Sequence, residues 1–170
     1  PASTFATRES WLSPATAALR PLFPELGEEL PAVRVSVGWP GGRGKKNSVI
    51  GQCWATGAST DKVAQVFISP VLDDAARVLD VLAHELVHAV DDCKSGHRGR
   101  FAKIAKGLGL EGPMSATHSG DELKVKLSAI HAELGEVIAG VKPGRTRPEQ
   151  ITIFGSVGLA FQDLAAAWQV

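Results

Sequence analysis

The sequence predicts an α+β fold: a short three-stranded antiparallel sheet packed on one long helix, with further helices after it. Three observations lead there. Apolar and polar residues alternate in short runs between 33 and 69, the pattern of half-buried strands. Apolar residues then recur at steps of three and four over 72–86, the period of a helix burying one face. Finally, 170 residues with 44% hydrophobic content can bury one core, with room for an appendage.

Composition narrows the partners. The formal net charge is +0, so no overall field recruits nucleic acid or an anionic membrane, and any such binding must be local. Two cysteines, Cys53 and Cys93, are too few for a disulfide scaffold. No apolar run reaches membrane-spanning length and no signal-peptide pattern opens the chain. A soluble, cytoplasmic protein is expected.

Residues 8–30 read as one or two helices, with Trp11, Ala15, Ala18, Leu19 and Leu22 on a face that Pro21 and Pro24 interrupt. Residues 33–37 alternate as a strand. The loop 38–47 follows, rich in glycine, with Trp39, Arg43, Lys45 and Lys46. The preferred reading is a hairpin connection with solvated charges. The alternative is a small nucleic-acid platform, the tryptophan stacking on a base and the three cations meeting phosphates. Residues 49–54 and 63–69 read as the second and third strands. An edge strand beside a helix can hold an extended peptide, and the third is the candidate.

Ser69 and Pro70 supply a cap and a first-turn proline for the long helix, and Asp73 and Asp74 complement its positive end. It is expected to run to about Cys93 and to stop at Ser95-Gly96. Within it lies Ala83-His84-Glu85-Leu86-Val87-His88-Ala89, an H-E-x-x-H sequence. One turn apart, His84 and His88 project from the same side, with Cβ atoms roughly 5–6 Å apart. Two imidazoles so placed can hold one Zn²⁺ at about 2.0–2.1 Å each. Glu85, rotated about 100° from His84, can stand beside the metal without ligating it and act as general base.

A second helix opens at His97-Arg98-Gly99-Arg100-Phe101, with Phe101, Ile104, Ala105 and Leu108 on one face and Gly107 and Gly109 at its end. His97, after a turn that can fold back, is chosen as the third ligand. Asp91, Asp92, Cys93, Glu111 and His118 are the competitors, the two aspartates being better placed to orient a histidine ring.

These residues resemble the SprT-like zinc metallopeptidases over about 5–130. The resemblance is carried by His84-Glu85-Leu86-Val87-His88-Ala89, by Gly96-His97-Arg98-Gly99-Arg100-Phe101, by Gly109-Leu110, by Gly51-Gln52-Cys53-Trp54, by Ile68-Ser69-Pro70 and by the run 110–117. It implies a zincin-like fold with His84, His88 and His97 on zinc and Glu85 as general base. It also implies a zinc-dependent endopeptidase acting on proteins, with DNA contact through Trp39, Arg43, Lys45 and Lys46. The chain departs from the family in having no cysteine after Cys93, hence no zinc ribbon. It has no tyrosine, leaving His118, Arg98 or Arg100 to steady an oxyanion. The rival reading is a nonproteolytic module, binding protein or DNA, in which zinc only staples two helices.

The tail, about 132–168, resembles the end of the ornithine cyclodeaminase/mu-crystallin family through the runs 133–140, 143–146 and 151–164. In that family the residues matching Ser156 and Val157 lie near cofactor and substrate; Gly155 stands where a lysine is usual. No G-x-G-x-x-G follows a strand, so no NAD site is expected and the tail reads as a piece without its enzyme. A metallopeptidase domain over 1–131 and a strand-helix appendage over 132–170 are therefore expected. The apolar face Leu159, Phe161, Leu164, Ala165 and Trp168 would dock on the core or pair with a second copy.

Overall fold

The computed structural model describes residues 7–38 and 49–138, with 132–138 as helical backbone only. The basic loop with Trp39, Arg43, Lys45 and Lys46, and the strand-helix expected over 151–168, lie outside the described residues.

Helix α1, Arg8–Leu19, starts at a capping box: the Ser10 amide donates to the Thr7 hydroxyl and the Thr7 amide donates to the Ser10 hydroxyl, both at 3.2 Å. It is shorter than the helical span expected over 8–30. Pro21 and Pro24 convert the rest into two 3₁₀ turns, Arg20–Leu22 and Pro24–Leu26, closed by Gly27 at φ 71°. Leu12, Ala15 and Leu19 enter the core. Arg8 donates to the carbonyls of Pro70 and Leu72 (3.0 and 2.7 Å), and the Glu9 carboxylate accepts from the Val37 amide at 3.1 Å.

Strands β1 (Val33–Val37), β2 (Gly51–Trp54) and β3 (Ala64–Ile68) form the sheet in the order β1-β3-β2. This corrects two expectations. The sheet is mixed: β3 runs parallel to β1, in register from Val33 with Ala64, and antiparallel to β2. The third strand is also no edge. Both its sides are paired, so it has no free main-chain groups for a peptide, and β2 is the edge beside it. Alternation reports which residues face inward, and it carries no information on which strand is the neighbour.

Helix α2 spans Ala75–Val90 and lies across β2 and β3. Its cap is Asp74, whose carboxylate accepts from the Arg77 amide at 2.7 Å. The expected Ser69-Pro70 cap instead forms a turn, with Leu72 N donating to Ser69 O at 3.2 Å. Leu79, Leu82 and Leu86 are fully buried along its inner face, each contributing about 1.5–3 kcal/mol. α3 (Gly99–Leu108) ends at Gly109 in the left-handed region, φ 96°. A small hairpin, β4 (Leu110–Glu111) with β5 (His118–Ser119), leads to α4 (Asp121–Ile138). Leu123 and Leu127 of α4 close the core. The α+β character is as expected: the described residues form a three-stranded sheet, a two-stranded hairpin and four α-helices. No described helix is long and apolar enough to cross a membrane.

Candidate metal centre

The site is built where α2 meets the turn that follows it. Residues 91–95 reverse the chain, with Asp92 and Cys93 in the left-handed region at φ 51° and 55°. Asp91, itself buried, holds this turn: its carboxylate accepts from the Ser95 amide at 2.6 Å and from the Ser95 hydroxyl at 2.8 Å. Asp92 accepts from the amide and hydroxyl of Thr56, each at 2.9 Å. Both aspartates thus brace backbone rather than orient a histidine ring, the role expected for them. Their work brings His97 back over α2.

His84, His88 and His97 converge. His97 Nε2 stands 3.3 Å from His84 Nε2 and 3.1 Å from His88 Nε2. Two imidazole nitrogens on one tetrahedral ion, each about 2.0–2.1 Å from it, would stand about 3.3 Å apart. The donor set therefore fits a transition-metal ion. Among the described residues these three form the metal-compatible group. Glu111 folds instead against Gly120, and Arg100 pairs with Glu28 at 2.6 Å.

Electrostatics favour the same use. Burial, then the neighbouring His97 and Arg77, lowers His84 to about 4. Burial, then His84 and His97, lowers His88 to about 3, with Asp91 opposing. Burial also lowers His97. All three rings are thus neutral at pH 7, the form that ligates. The Thr117 hydroxyl lies 2.8 Å from His84 Nδ1. With the Nδ1 proton assigned to that contact, the lone pair of Nε2 points to the centre. Phe101 packs on all three rings, stacked on His88 with centroids 4.1 Å apart and edge-on to His84 and His97 at 5.1 and 5.2 Å.

Glu85 is buried on the same helix. Burial, then Cys93, raises its carboxyl to about 8, so it holds a proton at neutral pH. β2 passes so close that a Cβ on Gly51 would lie 2.6 Å from Glu85 Oε1 and 2.5 Å from Val81 Cγ1. Three residues went unassigned in the sequence. Thr117 is far from the motif, Gly51 is one glycine among 18, and Phe101 reads only as a core residue.

Residues 100–170 match the ornithine cyclodeaminase/mu-crystallin family. Within curated proteins, the chain is 40% identical over 78 residues to an alanine dehydrogenase of Archaeoglobus fulgidus, covering 46% of this chain and 20% of that protein. It is 60% and 57% identical over 42 residues to Δ1-pyrroline-2-carboxylate reductases of Bacillus cereus and Bacillus thuringiensis, covering 25% of this chain and 13% of each relative. The chain therefore spans about a fifth or less of the length of these relatives. No solved structure matches it.

These matches bear out the family expected for the tail and begin earlier, at residue 100 rather than 132. They correct the functional expectation. The named relatives are dehydrogenases and reductases, none of them a SprT-like protein, and such enzymes do not add water across an amide. The zinc endopeptidase, the zinc-stapled module for protein or DNA, Zn²⁺ as the defining cofactor, and a partner set of protein substrate and DNA without NAD are all set aside on this finding. The physical reason is plain. H-E-x-x-H spacing determines where two imidazoles sit on a helix and does not name the bond acted on.

One glycine pattern bears on the correction. Gly107-Leu108-Gly109-Leu110-Glu111-Gly112 spells G-x-G-x-x-G inside the matched segment. It runs from the end of α3 into β4, with Gly109 and Gly112 at φ 96° and 88°. A dinucleotide turn runs the other way, from strand into helix. These glycines end a helix and turn a hairpin.

Proposed function

We propose that the chain takes part in dehydrogenase- or reductase-type chemistry through its C-terminal segment, and that His84, His88 and His97 form a transition-metal centre beside it. The match over 100–170 supports the first statement. A nicotinamide nucleotide is the electron carrier that this reaction class suggests. The described residues hold no strand-to-helix glycine turn for it, so its site would draw on chain outside them.

The convergence of three neutral Nε2 atoms supports the metal centre. A bound ion would supply Lewis acidity at a position left open by three protein ligands. Glu85 is the proton-handling group: burial keeps its carboxyl protonated near neutrality, ready to exchange a proton with a ligand of the centre. Phe101 excludes water from one side of the rings, and Thr117 holds the His84 tautomer.

We also propose a zincin-like arrangement of sheet and helix, a likeness of 5–130 to the SprT-like group in fold alone, a domain boundary near 131/132 and a cytoplasmic location. Helix α4 crosses that boundary unbroken.

Two experiments test the reading. NADH and NADPH are titrated by fluorescence, and absorbance at 340 nm is followed with alanine or Δ1-pyrroline-2-carboxylate. Binding with turnover is expected; the absence of both would overturn the oxidoreductase reading. Co²⁺ titration is expected to give a tetrahedral visible band with wild type and none with His84→Ala/His88→Ala. Equal bands in both would remove the metal centre.

A further inference from the structure

We propose that Cys53 and Cys93 are a reversible dithiol/disulfide pair, a redox-modification site that joins edge strand β2 to the turn after α2. They are the chain's two cysteines, both free and half-buried, and neither belongs to the three-histidine cluster. Forty residues apart in sequence, they meet in space: the Cys93 thiol donates to the Cys53 carbonyl at 3.4 Å.

The alignment of the two segments does not depend on the sulfurs. One residue before Cys93, the Asp92 carboxylate takes both the amide and the hydroxyl of Thr56 at 2.9 Å, clamping the end of β2 to this turn. The Cys93 amide donates to the His88 carbonyl at 2.9 Å, which anchors the turn to α2. Cys93 itself has φ 55°, a conformation that non-glycine residues keep only when their surroundings impose it. The backbone thus presents one thiol to the other before any bond forms, the preorganisation that a disulfide needs.

With hydrogen peroxide as oxidant the chemistry balances. The Cys93 sulfur attacks one peroxide oxygen, the O–O bond breaks, and a sulfenic acid and one water result. The Cys53 sulfur then displaces hydroxide from that sulfenic sulfur, forming the S–S bond and a second water that takes up the Cys53 proton. Both sulfurs are oxidised and the peroxide is reduced; a dithiol reductant reverses the process.

The test uses the full metal-free chain, treated with stoichiometric hydrogen peroxide, alkylated and mapped by mass spectrometry. Both thiols should vanish together in monomeric protein, with one peptide pair linked through Cys53 and Cys93 and restored by dithiothreitol. Cys53→Ser should stop at a dimedone-reactive Cys93, and Cys93→Ser should leave Cys53 largely unreacted. Independent loss of the two thiols overturns the proposal, as do linkage only between chains or thiols that survive the oxidant. Repeating the reaction in guanidinium separates preorganisation from chance collision: a linked pair forming as fast in the unfolded chain would equally overturn it.

Discussion

The imidazole of His84 and the hydroxyl of Thr117 stand 2.8 Å apart, and this contact ties α2 to the segment entering β5. It couples the first histidine of the motif to a residue inside the stretch that matches the ornithine cyclodeaminase/mu-crystallin family. The contact thus joins α2 to that segment through the His84 ring.

Thr117→Val removes the partner of Nδ1 while keeping the side-chain shape. Co²⁺ affinity is expected to fall about 10–100-fold, the usual effect of losing a group that orients a metal-binding histidine. Isothermal titration measures it, and an unchanged affinity would show that Thr117 serves packing alone.

The pH dependence of stability has two opposed arms in the metal-free protein. His84 and His88 fall from 6.5 to about 4 and about 3, so the unfolded chain binds more protons below pH 6.5. Their contribution is present above 6.5 and is lost as pH falls toward 3. Glu85 is raised from 4.5 to about 8, so the folded state binds the extra proton between those values. Its contribution is present below 4.5 and is lost as pH rises through 8. Glu85→Gln should abolish the alkaline arm and leave the acid arm, as read by urea midpoints from pH 4 to 9.

Gly51→Ala places a methyl against Glu85 Oε1 and Val81 Cγ1. A cost of about 1–3 kcal/mol is expected for such overpacking. The urea midpoint should fall with an unchanged slope, and no fall would mean that β2 and α2 separate freely.

Phe101→Leu keeps a buried apolar side chain but removes the flat surface shared by the three rings. A loss of about 1–3 kcal/mol of stability is expected, below the 3–5 of a truncation to alanine. The Co²⁺ band should broaden as the ligand geometry loosens. An unaltered spectrum would confine Phe101 to the core.

Much of the secondary structure was legible because it is local. The alternation at Val33–Val37 and Ala64–Ile68 and the three-four spacing along α2 each report burial from neighbouring residues. A return of the chain at Ser95-Gly96 was expected as well, and the structure places the His97 ring beside His84 and His88. The parallel pairing of Val33 with Ala64 was not, because hydrogen-bond partners far along the chain leave no trace in either run. Asp74 rather than Ser69 caps α2 because several polar residues before the helix compete for one set of amides. Thr117 was hidden for a related reason: a threonine 33 positions from its histidine looks like any other. The functional class failed differently. A ligand pattern does not specify a reaction, and the stretch that matches a known enzyme family begins within α3, ahead of the tail whose sequence resembles it.

The central place of β3 has a consequence for the order of folding. β1 and β2 touch β3 and not each other, so β1 cannot close a local hairpin with β2, whereas β2 and β3, consecutive and antiparallel, can pair as soon as both are made. During synthesis the first strand must wait, unpaired, until the third emerges, and the parallel pair closes a long loop. Replacements that stiffen or shorten the connection between β1 and β2 should therefore change the rate of assembly more than the stability of the finished sheet.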